Sequence, residues 1–273
     1  MVEKFKYKMY SLQNKMQAFY FTSMVCKYQF KYKSLLKLKS MRCLLFYVAT
    51  LFLVTSCSQI EGSGNIVKQK RETAVFTGVK AGGAFEVEIK TGPINVVTVE
   101  SDDNILPYIK TEVVEGVLEI SNKRKRSFGN AHVKVFITTP TLNFIKASGA
   151  AKIMSVDEIK NVDRIKMELS GAANIKAMVN APEVHINASG ASHIELTGRT
   201  RNFNAKASGS SAVKCSSLQS ENAQIAASGA STIHTHASVK IEATASGAAT
   251  IYHLGTNNIK QKISGAARIQ SKN

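Results

Sequence analysis

The stretch that decides the fold is Val184-His185-Ile186-Asn187-Ala188-Ser189-Gly190-Ala191-Ser192-His193-Ile194. Apolar and polar residues alternate up to the Ser-Gly corner, and a β-branched residue follows five positions after the Ser. Six further copies of Ser-Gly-(Ala/Ser) stand beside it, at Ser148-Gly149, Ser170-Gly171, Ser208-Gly209, Ser228-Gly229, Ser246-Gly247 and Ser264-Gly265. The spacings between successive serines are 22, 19, 19, 20, 18 and 18 residues. A period of this size marks a solenoid, in which a single repeat is too small to bury its own apolar face and must stack on its neighbours.

The columns of the repeat give its geometry. One residue before the Ser stand Ala147, Leu169, Ala188, Ala207, Ala227, Ala245 and Ile263, and three before stand Ile145, Met167, Ile186, Ala205, Ile225, Ala243 and Gln261. Five after comes Ile153, Ile175, Ile194, Val213, Ile233, Ile251 and Ile269, β-branched in every copy. The even offsets are of another kind: Lys146, Glu168, Asn187, Lys206, Ala226, Thr244 and Lys262 lie two before the Ser. Period-two alternation of β-branched residues describes strands with one buried face, and no window shows the three-and-four spacing of a helix. The sequence therefore predicts an all-β chain, a parallel β-helix with about 18–22 residues per coil. Each Gly is read as the corner between two strands, where a residue without Cβ takes positive φ, and each Ser as a hydroxyl that bonds along the stack. A binding face made of the outward ladder of small polar groups is the functional alternative for the same motif.

Outside the repeats the chain divides further. Residues 41–57 run from Arg42 through an uncharged, mostly apolar segment, too short to span a bilayer, to Val54-Thr55-Ser56-Cys57. This is the pattern of a lipoprotein signal peptide with Cys57 as the lipidated residue, and residues 58–64 read as a linker. Residues 1–40 hold nine Lys and a single acid and fit no leader. They read as an upstream mis-called start, with a basic cytoplasmic extension as the alternative. Residues 1–57 carry ten basic residues and one acid, so nine of the seventeen net positive charges belong there and residues 58–273 carry +8. That is weak ground for nucleic-acid binding. Cys215 is the one cysteine beyond the leader, on an inward offset, and reads as a core residue.

Residues 65–140 lack the Ser-Gly-Ala mark but remain β-rich, as in Phe85-Glu86-Val87-Glu88-Ile89, with Gly82-Gly83, Gly92-Pro93 and Gly116 as breaks. Degenerate coils of the same solenoid and a small antiparallel cap both fit; about four coils would fill the segment.

The lipobox, Phe76 to Val79, Phe85-Glu86-Val87, the recurrent Ser-Gly-Ala-x-x-Ile and Tyr252-His253-Leu254-Gly255 together resemble the auto-transporter adhesin family with a head GIN domain. The resemblance covers about residues 65–273. It implies a β-helical fold, an extracytoplasmic place in a cell envelope of Bacteroidetes type, and no catalytic residues.

Chemistry is sparse. The eight acids between residues 141 and 273 do not stack into a cluster, which disfavours a polysaccharide-cutting enzyme. His234, His236 and His253 could supply metal ligands but read more simply as strand residues. Lys123-Arg124-Lys125-Arg126 reads as an exposed basic turn. No metal, cofactor or catalytic residue is expected. The reading is a non-enzymatic, lipid-anchored envelope protein, an adhesin or binding scaffold attached to the outer membrane and facing the periplasm or the cell surface. Its expected partners are the membrane and a glycan, matrix or envelope protein. A structural component of the envelope and a polysaccharide-active enzyme are the alternatives.

Overall fold

The computed structural model describes residues 59–123, 127–129 and 131–272. Cys57, Arg124, Lys125 and Arg126 lie outside the described residues. In chain order the strands are β1 (Gln59–Glu61), β2 (Ile66–Arg71), β3 (Gly78–Gly83), β4 (Glu86–Thr91), β5 (Val96–Asp102), β6 (Ile109–Val114), β7 (Val117–Asn122), β8 (Ser127–Gly129) and β9 (Val133–Thr139). The repeat region supplies β10 (Phe144–Gly149), β11 (Lys152–Lys160), β12 (Arg164–Leu169), β13 (Asn174–Ala188), β14 (His193–Ala207), β15 (Ala212–Ala227), β16 (Thr232–Ala245), β17 (Thr250–Gly255), β18 (Ile259–Ile263) and β19 (Arg268–Ser271). A 3-10 turn at Leu106–Tyr108 lies between β5 and β6.

The strands that precede the Ser-Gly corners pair in parallel as one stack: β7, β3, β10, β12, the second halves of β13 to β16, then β18. Those that follow the corners pair as another: β9, β4, β11, the first halves of β13 to β16, then β17 and β19. The fold is thus a parallel β-solenoid. Its coils stack in register; Ile175 lies over Ile194 and Ala188 over Ala207, Ile194 over Val213, Val213 over Ile233. The inward columns form one continuous core in which Ile153, Ile175, Ile194, Val213, Ile233 and Ile251 are almost completely shielded. The last coil is more open, with Ile263 48% exposed.

Chain order and spatial order part company near the N-terminal end. β3 pairs with β7 on one side and β10 on the other, and β4 lies likewise between β9 and β11. Residues 92–143 therefore leave the first coil, build β7 and β9 beyond it, and return past it to begin the repeats. That outer end is closed antiparallel: β5 on β9, β2 on β5, and β6 on β7. Both arrangements foreseen for residues 65–140 are present, but not as four coils of one stack. β3–β4 and β7–β9 are parallel rungs, and β2, β5 and β6 are the cap. Gly82-Gly83, expected to be a break, is an eighth corner: Gly82 lies over Ser148 and Gly83 over Gly149, with Val79, Ala81 and Val87 filling the inward columns. Phe76, Phe85, Ile105, Ile109 and Leu142 fill the core around this end.

Candidate binding face along the serine edge

The corner is built on glycine. Gly149, Gly171, Gly190, Gly209, Gly229, Gly247 and Gly265 all take φ between +69° and +73°. A Cβ on Gly190 would stand 2.6 Å from the carbonyl oxygen of Gly171, so each glycine also sits where only a bare backbone fits against the coil below. The amide after each glycine donates to the carbonyl of the glycine one coil back, as Ala191 does to Gly171 and Ser210 to Gly190, both at 2.8 Å. The serine amides continue the same ladder, Ser189 donating to Leu169 at 3.0 Å and Ser208 to Ala188 at 2.9 Å. Three of the serine hydroxyls also donate along the stack: Ser148 to the Ala81 carbonyl at 3.4 Å, Ser189 to Leu169 at 3.1 Å and Ser228 to Ala207 at 3.5 Å. The serines Ser148, Ser170, Ser189, Ser208, Ser228, Ser246 and Ser264 thus stand one above another along a single edge, half-buried in all but the last.

Beside that edge runs a groove of about 490 Å³. Its floor is Leu169, Ala188, Ala207 and Ala227; one bank is the serine column and the other the column two residues earlier, from Lys146 through Glu168, Asn187 and Lys206 to Ala226 and Thr244. The next outward column, four before the Ser, carries Asn204, Gln224, Glu242 and Lys260, and lines two further hollows of about 330 and 450 Å³. One sheet of the solenoid therefore presents amides, hydroxyls and charges on a rigid backbone.

Its charges are distributed unevenly. Glu168 accepts from Lys146 at 2.8 Å and Lys166 at 2.7 Å, and these two hydrogen bonds hold its carboxyl below the usual carboxylate range. Lys240 holds Glu242 low in the same way, at 2.7 Å. Arg164 pairs with Glu183 at 3.2 Å. The amides bond to one another between coils, Asn204 to Gln224 at 3.0 Å and Asn222 to Asn202 at 3.2 Å. Each of these three acids is occupied by a cation, an arrangement that suits contact with a ligand more than proton transfer.

The three histidines do not converge. His234 and His236 lie two apart on the outward side of β16, His234 stacking on Tyr252 with ring centroids 4.7 Å apart, whereas His253 turns into the core beside Thr235. Cys215 is fully buried, and desolvation pushes its thiol far above its ordinary range. Lys123 is exposed, and the rest of the basic run lies outside the described residues. The groove-lining columns were visible in the sequence as the even offsets of the repeat. Their identities change from coil to coil, so alignment on the repeat reads them as surface rather than as a site.

The geometry defines a class, a parallel β-solenoid with glycine corners and one antiparallel end. The family described as "Putative auto-transporter adhesin, head GIN domain" matches residues 75–272, and the chain belongs to that family. Among solved structures it is similar to a putative adhesin from Bacteroides fragilis, with 19% identity and a TM-score of 0.71 over 78% of this chain and 100% of that one. A putative lipid binding protein from Parabacteroides distasonis matches with 18% identity and a TM-score of 0.65, over 79% of this chain and 100% of that one. A putative adhesin from Parabacteroides merdae matches with 17% identity and a TM-score of 0.60, over 79% and 99%. At these identities the likeness is one of fold. No curated protein matches the chain.

Proposed function

We propose that this is a lipid-anchored, extracytoplasmic envelope protein that acts without catalysis, by presenting the serine-edge groove and its flanking polar columns as an adhesive surface. The observation that carries the reading is the groove itself, long, open, and lined by hydroxyls, amides and lysines that the stacked coils hold at fixed spacing. Family membership supports an adhesive role and an extracytoplasmic place. The charge pattern supports the absence of catalysis: the carboxylates whose pKa the surroundings shift, Glu100, Asp103, Glu168 and Glu242, are all held below the usual carboxylate range, opposite to what a general acid for glycoside cleavage needs.

The anchor is Cys57, at the end of its lipobox. Cells fed labelled palmitate should label the protein, and Cys57→Ser should abolish the label; undiminished labelling of the variant would remove the anchor. For the adhesive role, the purified protein is to be offered a panel of neutral and acidic glycans and matrix proteins. Binding to members of the panel, with cleavage of the protein by protease added to intact cells, is the expected result. A protein that binds nothing in the panel and is protected on intact cells contradicts the reading. Release of oligosaccharides from any polymer would replace it with the enzyme.

A further inference from the structure

Within the groove one place differs from the rest. In the column two residues before the Ser, Lys146 is locked to Glu168 at 2.8 Å. Further along, Lys206 and Lys262 are exposed, and neither has an ion-pair or hydrogen-bond partner among the described residues. Between them the same column carries only Ala226 and Thr244, so the bank drops and the groove opens onto the outer face: Lys206, Ala226 and Thr244 line both the groove and the adjoining hollow that Lys260 and Lys262 complete. The acid on the wall of this gap, Glu242, is neutralised by Lys240 at 2.7 Å.

We infer that the gap between Lys206 and Lys262 is a binding site for an acidic polysaccharide, with the two lysines as the anion contacts and Thr244, Gln224 and the serine hydroxyls as partners of the sugar hydroxyls. This rests on the adhesive reading and names its ligand class. Coils stack about 4.8 Å apart, which sets Lys206 and Lys262 roughly 14 Å apart over three rungs. A single phosphate or carboxylate cannot bridge that distance, whereas a chain with acidic groups on successive units can. The lining argues for a sugar chain over a membrane surface: among the described residues, none of the exposed large apolar side chains lines the groove or the adjoining hollow, whereas attachment to a lipid surface draws on buried apolar area as well as charge.

The test offers the purified protein to immobilised polygalacturonate, dextran sulfate and neutral dextran, and to phosphatidylglycerol vesicles. The protein should bind at least one acidic polymer, more weakly as salt rises, and leave dextran. Lys206→Ala with Lys262→Ala should weaken binding at least tenfold at unchanged melting temperature. Lys152→Ala with Lys176→Ala, which removes the same charge from the other sheet, should cost less than threefold. Equal losses in the two pairs, failure to bind either acidic polymer, or preference for the vesicles would overturn the inference. If the protein then still binds neutral glycans or matrix proteins, the adhesive reading survives; if it binds nothing, both fall.

Discussion

A methyl group at Gly190 would meet two obstacles at once, a backbone at φ +73° and a carbonyl oxygen 2.6 Å away. Gly64 has the first without the second, since φ is +82° but nothing lies within 4 Å of its would-be Cβ. Thermal or denaturant unfolding should therefore separate them. Gly64→Ala should cost about 1 kcal/mol, the strain of a left-handed conformation alone, whereas Gly190→Ala should cost at least ~3 kcal/mol as the coils are prised apart. Equal costs would mean that the corner is not a close contact. Histidines give a second prediction at this scale. Desolvation lowers the pKa of His193, His234 and His253, with Lys214 adding to the effect at His193 and Lys272 and then Lys214 at His234. The fold thus favours neutral imidazoles, while the unfolded chain takes up protons below pH ~6.5. Stability should be full above that pH and fall as pH drops through the lowered values in the fold. Melting scans between pH 7.5 and 5 check this, and His253→Leu should flatten the curve; a melting temperature that rises on acidification contradicts it.

Among the elements, the inward column five after the Ser bears on stability most. Ile233 is fully shielded, with Val213 on one side and Ile251 on the other. Ile233→Asp places an unpaired charge in that ladder and should cost more than ~4 kcal/mol. Thr232→Asp, one residue away and facing outward, should stay within ~0.5 kcal/mol. If circular dichroism and melting show the two variants to be alike, the register assigned to β16 is wrong. These columns were legible in the sequence because a solenoid repeats its packing in every coil, so Ile175, Ile194 and Ile233 announce one another. An antiparallel cap was one of two arrangements that fitted residues 65–140, but its strand pairing was not legible, because β5 meets β9 and β2 meets β5 across long stretches of chain with no shared motif. Gly82-Gly83 hid its equivalence to Ser148-Gly149 by replacing the serine with glycine. The gap at Ala226 and Thr244 was hidden for the opposite reason: it is defined by small residues in a column whose other members are long.

In the whole molecule, the consequence of the fold is order without chain continuity. The first coil formed by the sequence is second in space, inserted between a rung made later and the first Ser-Gly repeat. That order closes one end of the core with antiparallel strands. Lys68 and Lys70 on the outer strand β2 place charge on an edge that would otherwise invite further pairing. It also carries the corner ladder into an eighth coil, so the serine edge that flanks the groove begins at Gly82. The placement of the groove and of its lysines depends on this register from coil to coil.

A cysteine pair reads that register directly. Gly82 and Ser148 are 66 positions apart in the chain yet paired across neighbouring strands, close enough for the Cα separation of about 4.4–6.8 Å that a disulfide requires. Gly82→Cys with Ser148→Cys should cross-link on mild oxidation, seen as a shift on a non-reducing gel, with Cys26, Cys43 and Cys57 replaced by Ser and Cys215 buried and silent. Gly82→Cys with Ser189→Cys, three coils apart, should not. Cross-linking of the second pair, or failure of the first, would contradict the stacked order from which the binding face is built.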